Sequence, residues 1–256
     1  MSALPAPTAA PALREQLRLG MMQLSPYGLS EQWLLRHLGD LHWSLIARAA
    51  GRPDTAFRDA TGRPVYAAFC ATRLQLSDRV ARLGGTVGIA ARLAQVSPHR
   101  LGSIHEVTGP EGLLARLEMI SCFLSHDESG SNRRLLRSRL PGLPPLPVAQ
   151  GPLMALHARA RDTARRLRQG SPGPERLRLT PLPALDFNAV GLLYFPTFSR
   201  IAEQAAPSAG ALRLREVIYA GNLDPGEEIV VSGPDETLVL HGPCGPLAEI
   251  RGRLRP

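Results

Sequence analysis

Gly28 and Gly191 each precede an apolar run of helical pattern, LSEQWLLRHLGDLHWSLIARAAG after the first and LLYFPTFSRIAEQA after the second. A glycine at the mouth of a helix leaves backbone N–H groups unpaired and aimed along the positive end of the helix dipole. That setting suits a carbonyl oxygen that gains negative charge during reaction. Glycines before helices also serve the turn alone, and the sequence leaves both readings open. The other chemistry-bearing residues are scattered. Cys70, Cys122 and Cys244 are too widely separated for a disulfide framework and no CxxC pair offers a zinc or redox site, so buried thiols and no metal are expected. The closest histidines, His37 and His42, are five residues apart, which turns their rings to different sides of a helix.

The elements that must position these groups follow from pattern. Residues 1–12 are Ala- and Pro-rich without periodicity and read as a loose, disordered tail, because they bury too little apolar surface to offset their ordering entropy. Leu17-Arg18-Leu19 alternates as a strand does, and a Gly/Ser/Pro loop leads to the first helical run. Ser30 suits its N-cap, Glu31 its first turn, and Trp33, Leu34, Leu38, Leu41 and Leu45 its apolar face; Gly51-Arg52-Pro53 closes it. Pro64–Leu76, Val80–Val96 and Leu113–His126 read as strands. PGLPPLP, Pro141–Pro147, excludes helix and central strand and marks a boundary. The expected organisation is a first module over 13–140, a Pro-rich linker over 141–152 and a second module over 153–256, which opens with an Arg-rich helix near Leu153–Arg168. The second half repeats the order of the first: Leu177-Arg178-Leu179, a Pro-rich loop, Gly191 with its apolar run, then strands at Leu212–Tyr219, Glu228–Val231, Thr237–Leu240 and Leu247–Arg253. One helix followed by several strands is an α+β pattern, here in two similar units.

With 256 residues, 44% of them hydrophobic, the chain can bury one generous core or two smaller ones. No stretch approaches the roughly 20 uninterrupted apolar residues of a membrane span, and the opening MSALPAPTAAPALR lacks a basic start followed by an apolar run. A cytoplasmic protein with no membrane contact is expected. All 30 basic residues are arginine and the formal net charge is +8, so polyanions are natural partners: coenzyme A, an acidic carrier protein or nucleic acid. A composition biased toward Ala, Arg, Pro and Gly gives the same charge without function. The arginines are dispersed rather than gathered on a recognition element, which argues against nucleic acid.

Two resemblances sharpen this picture. Phe187–Phe198, FNAVGLLYFPTF, resembles the helix-opening motif of hot-dog thioesterases, in which an acidic residue lies three before a glycine and an aromatic-rich helix follows. Asn188 stands where many of those enzymes carry the carboxylate, and an amide acts neither as nucleophile nor as general base, although it can hold a substrate oxygen. A wider resemblance covers nearly the whole chain. GLSEQWLLRHLGDLHW (28–43), GRPVYAAFCATR (62–73), Ser131-Asn132-Arg133 and NAVGLLYF (188–195), in that order, resemble the bifunctional acyltransferase/decarboxylase family of polyketide biosynthesis, the leinamycin type. This resemblance implies an α+β tandem (double) hot-dog fold, each module a central helix wrapped by an antiparallel sheet. It also implies action on methylmalonyl-CoA, with a tyrosine that accepts the acyl group at the position of Tyr66. A phenol ionises near pH 10 and would need a base or positive field; His42 and Arg63 are its neighbours in the motifs. The characterised family type differs at the position of His42, which leaves the acyl specificity, and the reaction itself, open.

Decarboxylating a malonyl-type thioester needs donors for the enolate oxygen and an apolar pocket for the departing carboxylate. The helix mouths, Gly28-Leu29-Ser30 and Gly191, would supply the donors. Trp33, Trp43 and Phe69 would supply the wall, or serve as ordinary core aromatics. Ser131, Asn132 and Arg133 read either as binders of the substrate or its pantetheine and phosphate end, or as a solvated turn. The resulting expectation is an enzyme with no bound cofactor, whose catalytic set is Tyr66, Asn188 and His42. It would transfer a malonyl- or methylmalonyl-type group from a coenzyme A thioester to an acyl carrier protein, with or without loss of carbon dioxide, as a monomer or homodimer. The alternatives are a hot-dog thioesterase or dehydratase-like enzyme and a non-catalytic acyl-carrier-binding protein.

Overall fold

The computed structural model describes residues 10–170, 172–207 and 210–255. Of the expected tail, residues 1–9 lie outside the described residues, and its last residue opens the first strand, β1 (Ala12–Arg18). β1 starts earlier than the alternation at Leu17 indicates, because a polar edge strand is held by its ladder: Ala12 to Arg18 pair in register with Arg92 to Thr86. A hairpin of β2 (Leu24–Ser25) and β3 (Gly28–Leu29) leads into α1 (Glu31–Ala49). The Ser30 hydroxyl caps α1 by accepting from the Trp33 N–H at 3.3 Å, and Trp33, Leu34, Leu38, Leu45 and Ile46 are buried on its inner face.

β4 (Tyr66–Leu76), β5 (Thr86–Ser97), β6 (Arg100–Gly109), β7 (Gly112–His126) and the short β8 (Leu135–Arg137) complete the first half. The structure corrects the pattern reading at two places. Residues 80–85 are loop, turned at Gly84 with φ +77°, and Arg100–Gly109 is a central strand. Polar residues at buried positions hide its alternation: Leu101, Ser103, His105 and Val107 are all buried on the side facing α1.

α2 (Pro152–Gln169) follows an irregular stretch, and then come β9 (Glu175–Leu179), the single turn α3 (Pro183–Asp186), α4 (Phe195–Ala205), β10 (Leu212–Tyr219), β11 (Ile229–Ser232), β12 (Thr237–Gly242) and β13 (Gly245–Leu254). α4 opens at Phe195 rather than directly after Gly191. Pro196 sits in its first turn, where a missing N–H costs no helical bond.

Eleven strands form one sheet in the order β1-β5-β6-β7-β4-β10-β13-β12-β11-β9, with β8 added to β7. The first half runs first, third, fourth, fifth, second strand; the second half runs in mirror order. The two second strands, β4 and β10, pair antiparallel at the seam from Leu214↔Gln75 to Ile218↔Ala71. α1 and α4 lie on one face and meet where Gly39 approaches Phe195, a contact a Cβ on Gly39 would close to 2.7 Å. α2 crosses the opposite face over the seam, its Leu153, Leu156 and Ala160 packing on Val96, Ile104, Ile120, Ala71 and Ile218. This is the α+β tandem hot-dog fold, a central helix wrapped by antiparallel strands twice over. No helix among the described residues is long and apolar enough to cross a membrane.

Candidate functional site

The seam between the halves opens at one end. β4 extends over Tyr66–Cys70 beyond Ala71, its last residue paired with β10, while β10 ends at Tyr219 and the chain turns away through Ala220-Gly221-Asn222. The gap is a cavity of about 600 Å³ that reaches both faces of the sheet. Trp43, Phe69 and Phe195 line it on the helix side, and Cys70, Cys122, Arg100 and Arg168 on the α2 side.

Tyr66 lies at this opening, paired with Leu124, and His126 follows Leu124 on the same face of β7. The Tyr66 hydroxyl is 3.3 Å from His126 Nδ1, with the two rings edge-on at 5.4 Å. His126 Nε2 is 2.8 Å from Asn132 Oδ1, and Asn132 Nδ2 donates to the carbonyls of Gly191 at 2.6 Å and Leu223 at 2.9 Å. Two carbonyls can only accept, so they fix which end of the Asn132 amide faces them. Its oxygen must then face His126, the imidazole proton must sit on Nε2, and the Nδ1 lone pair is left to accept the Tyr66 O–H.

Asn132 is buried and anchored from behind. Its N–H and the Ser131 hydroxyl each donate to the Asp224 carboxylate at 2.7 Å, and Arg133 bonds Asp224 and Glu227 at 3.2 Å. Burial alone would raise the Asp224 pKa; the Ser131, Asn132 and Arg133 donors outweigh it and hold the carboxyl below its usual range. A loop of the first half thus clasps the second half, and its middle residue orients the histidine beside Tyr66.

The remaining expected site residues are placed differently. His42 is wholly buried under α1, with Nδ1 2.7 Å from the Ser103 hydroxyl and Nε2 2.8 Å from that of Ser121. Burial pushes its pKa down to about 3, so the ring is neutral and structural. The imidazole beside the Tyr66 hydroxyl is that of His126; neither His42 nor Arg63, which bonds Asp59 at 3.2 Å, stands there. Gly191 spends its N–H on the Asn188 carbonyl at 2.9 Å, in a turn with φ +78°, and presents its own carbonyl to Asn132; it is an acceptor and not an oxyanion donor. Gly28, with φ +113°, closes the β2–β3 hairpin, Leu29 is core, and Ser30 is the α1 cap; none of the three lines the cavity. Trp33 is buried and stacked on His37. Trp43 does line the cavity, its indole N–H held by the Ala67 carbonyl at 3.1 Å.

Asn188 lines the cavity as well. Its side-chain oxygen accepts from the N–H groups of Val190 at 3.1 Å and Leu192 at 3.0 Å, and among the described residues its Nδ2 has no partner. Beside it, burial and then Asp40 push the Tyr194 phenol up to about 12, which keeps it a proton donor. His126 and Tyr194 are the two site groups that sequence reasoning passed over.

No protein-family model matches the chain, and no curated protein matches it in sequence. Solved structures do match it in shape. An acyl-ACP thioesterase from Bacteroides thetaiotaomicron superposes with a TM-score of 0.68 at 10% identity, covering 94% of this chain and 96% of its own. The 12:0-ACP thioesterase from Umbellularia californica gives 0.67 at 12% identity, over 96% and 97%. HtdX of Mycobacterium tuberculosis gives 0.56 at 12% identity, over 94% and 99%. At such identities the likeness is one of fold, and over nearly its whole length this chain shares the double hot-dog architecture of these proteins.

Proposed function

We propose that this protein cleaves an acyl thioester, of coenzyme A or an acyl carrier protein, in the cavity at the seam, with Tyr66 receiving the acyl group. The observation that carries the reading is the Tyr66–His126–Asn132 chain, a nucleophile on a base on an orienting amide, whose proton positions follow from the two carbonyls behind Asn132. The fold shared with proteins described as acyl-ACP thioesterases supports a thioester as substrate.

In the proposed reaction His126 Nδ1 takes the phenol proton as the Tyr66 oxygen attacks the thioester carbonyl. The Asn188 Nδ2 and the Tyr194 O–H are two donors at the cavity for the developing oxyanion. The imidazolium, still donating from Nε2 to Asn132, returns the proton to the departing thiolate. An aryl ester is an activated ester, so the acyl group on Tyr66 remains transferable. Water, deprotonated by His126, would release a carboxylic acid and restore the tyrosine, which makes the enzyme a thioesterase. A second reading is favoured by Asn188, an amide where a carboxylate would activate water: the acyl group, of malonyl or methylmalonyl type and with or without loss of carbon dioxide, passes to the thiol of a carrier protein.

The test is intact-protein mass spectrometry with thiol titration after mixing the protein with acetyl-, malonyl-, methylmalonyl- and long-chain acyl-CoA in turn. The expected result is thiol release by the wild type, an acyl adduct trapped at Tyr66 under acid quench, and the loss of both in Tyr66→Phe. Unchanged thiol release by Tyr66→Phe would overturn the covalent role. No release from any donor, nor from the matching acyl carrier proteins, would overturn the reading altogether.

A further inference from the structure

We infer that Cys70 and Cys122 form a dithiol oxidation site in the cavity wall, which closes to a disulfide on reaction with a small-molecule disulfide. The pairing of β4 with β7 brings them together. Cys122 lies opposite Ala68, and Cys70 occupies the bulge between the pairs Phe69↔Ser121 and Ala71↔Ile120, unpaired in the ladder. A bulge residue is released from strict alternation and can be re-aimed toward a neighbour. Here the Cys70 thiol turns back along β4 toward the Ala68 carbonyl at 4.0 Å, and so toward Cys122, the residue opposite Ala68; both side chains are half-buried, and both line the cavity. A second thiol on the neighbouring strand and a route for a reagent are what an inert core cysteine lacks.

The surroundings assign the two sulfurs different tasks. The neighbouring Cys70 thiol lowers the Cys122 pKa against the opposing effect of burial, and Arg100 and Arg137 lower it further. Neither arginine forms an ion pair among the described residues, so their charge is not cancelled locally. Cys70 is raised well above the usual thiol range by the neighbouring Cys122 and by burial. Cys122 is therefore the attacking thiolate and Cys70 the resolving thiol.

Cys122 loses its proton to solvent and attacks one sulfur of the reagent, expelling one small thiol and leaving a mixed disulfide. Cys70 then loses its proton and attacks the Cys122 sulfur, expelling the second small thiol. Two protein thiols are oxidised by two electrons and one reagent disulfide is reduced to two thiols. Cys244 is exposed on the β12–β13 hairpin and provides a built-in comparison, a thiol reachable by reagent without a resolving partner beside it. The inference does not depend on Tyr66 accepting an acyl group.

The experiment uses the full chain with oxidised glutathione, followed by denaturing alkylation and peptide mass mapping. The expected result is a linked Cys70–Cys122 peptide with neither of these thiols alkylatable, while Cys244 stays alkylatable or carries at most a glutathione adduct. Cys70→Ser should instead hold a glutathione adduct at Cys122, and Cys122→Ser should leave Cys70 alkylatable. Circular dichroism confirms that both variants fold, and the wild-type result stands without them. Three alkylatable thiols after treatment, a reaction confined to Cys244, or a linkage of Cys244 to either partner would overturn the inference.

Discussion

Asn132→Ala should separate the clasp from the chemistry. The substitution deletes the acceptor for His126 Nε2–H and both donors to the Gly191 and Leu223 carbonyls, at a residue only 5% exposed. An orphaned buried polar group costs about 1–3 kcal/mol. The Leu223 carbonyl is fully enclosed and that of Gly191 partly so, while the backbone bond from residue 132 to Asp224 survives. The expected loss is therefore about 2–4 kcal/mol, or roughly 5–15 °C in thermal midpoint for a chain of this size. Without Asn132 Oδ1 the imidazole proton is free to move to Nδ1 and the ring to turn, which should remove general-base catalysis worth about 10²–10⁴ in rate. Tyr66→Phe gives the contrast: the same rate loss with less than about 1 kcal/mol of destabilisation, because its hydrogen bond is long and half-exposed. Thermal denaturation and thiol release from an acyl-CoA, compared at temperatures where every variant is folded, read the two quantities separately. If Asn132→Ala keeps both the wild-type midpoint and the wild-type rate, the amide neither clasps the halves nor sets the histidine, and the reasoning fails.

Gly39→Ala should destabilise the α1–α4 crossing. A Cβ there would stand 2.7 Å from Phe195 Cζ, and Phe195 is hemmed in by Phe69 at 4.4 Å. Overpacking of about 1–3 kcal/mol outweighs about 1 kcal/mol gained in helix propensity, and Phe195→Leu in the same chain should recover part of the loss; urea midpoints that simply add would argue against this contact. His42 gives a pH signature. Its folded pKa is depressed to about 3, so the stability it confers is complete above its unfolded pKa near 6.5 and is lost as the pH falls below it. Wild-type stability should fall by up to about 1.4 kcal/mol per pH unit from this residue alone, with buried His105 acting in the same direction. His42→Gln should flatten the slope between pH 6 and 4 while leaving thiol release at pH 7 within a few-fold of wild type; parallel slopes would mean that His42 titrates normally.

The sequence carries the fold more openly than the site. The α1 cap at Ser30, the amphipathic α2 and the repeated order of one helix and several strands depend on local pattern, and local pattern survives in the chain as read. β6 is obscured because Ser103 and His105 fill buried positions, made tolerable by the hydrogen bonds joining His42, Ser103, His105 and Ser121. Such a network is invisible until the strands are paired. The partner of Tyr66 is hidden for a similar reason: His126 is sixty residues away and arrives only through the register Tyr66↔Leu124. His42 and Arg63 stand nearer in the motifs yet face other groups. Likewise, the glycines at 28 and 191 do occupy turns that need positive φ, but where an N–H of each turn is spent depends on the loop conformation, which glycine leaves open.

A fold of two equivalent halves offers two equivalent ends of the seam, yet the cavity and the relay occupy one. The lengths of the seam strands account for this. β4 runs five residues, Tyr66–Cys70, beyond its last pair with β10, whereas β10 has only two residues, Leu212 and Arg213, before its first pair at Leu214. Five unpaired residues along one side of a strand leave a gap wide enough to admit a substrate chain; two do not. The gap exposes on β4 and β7 the same-face positions Tyr66, Cys122 and Leu124, which a fully paired seam would press under α2 with the apolar residues Ile120 and Ile218. Lengthening the pairing would close the cavity and bury the phenol, whereas the contact of Tyr66 with His126 is set by the β4–β7 register alone. The clasp at Ser131-Asn132-Arg133 forms at this same end, so some of the bonds that join the halves also orient the Asn132 amide toward His126. Docking of the halves at this end therefore also brings Tyr66, His126 and Asn132 into one hydrogen-bonded chain.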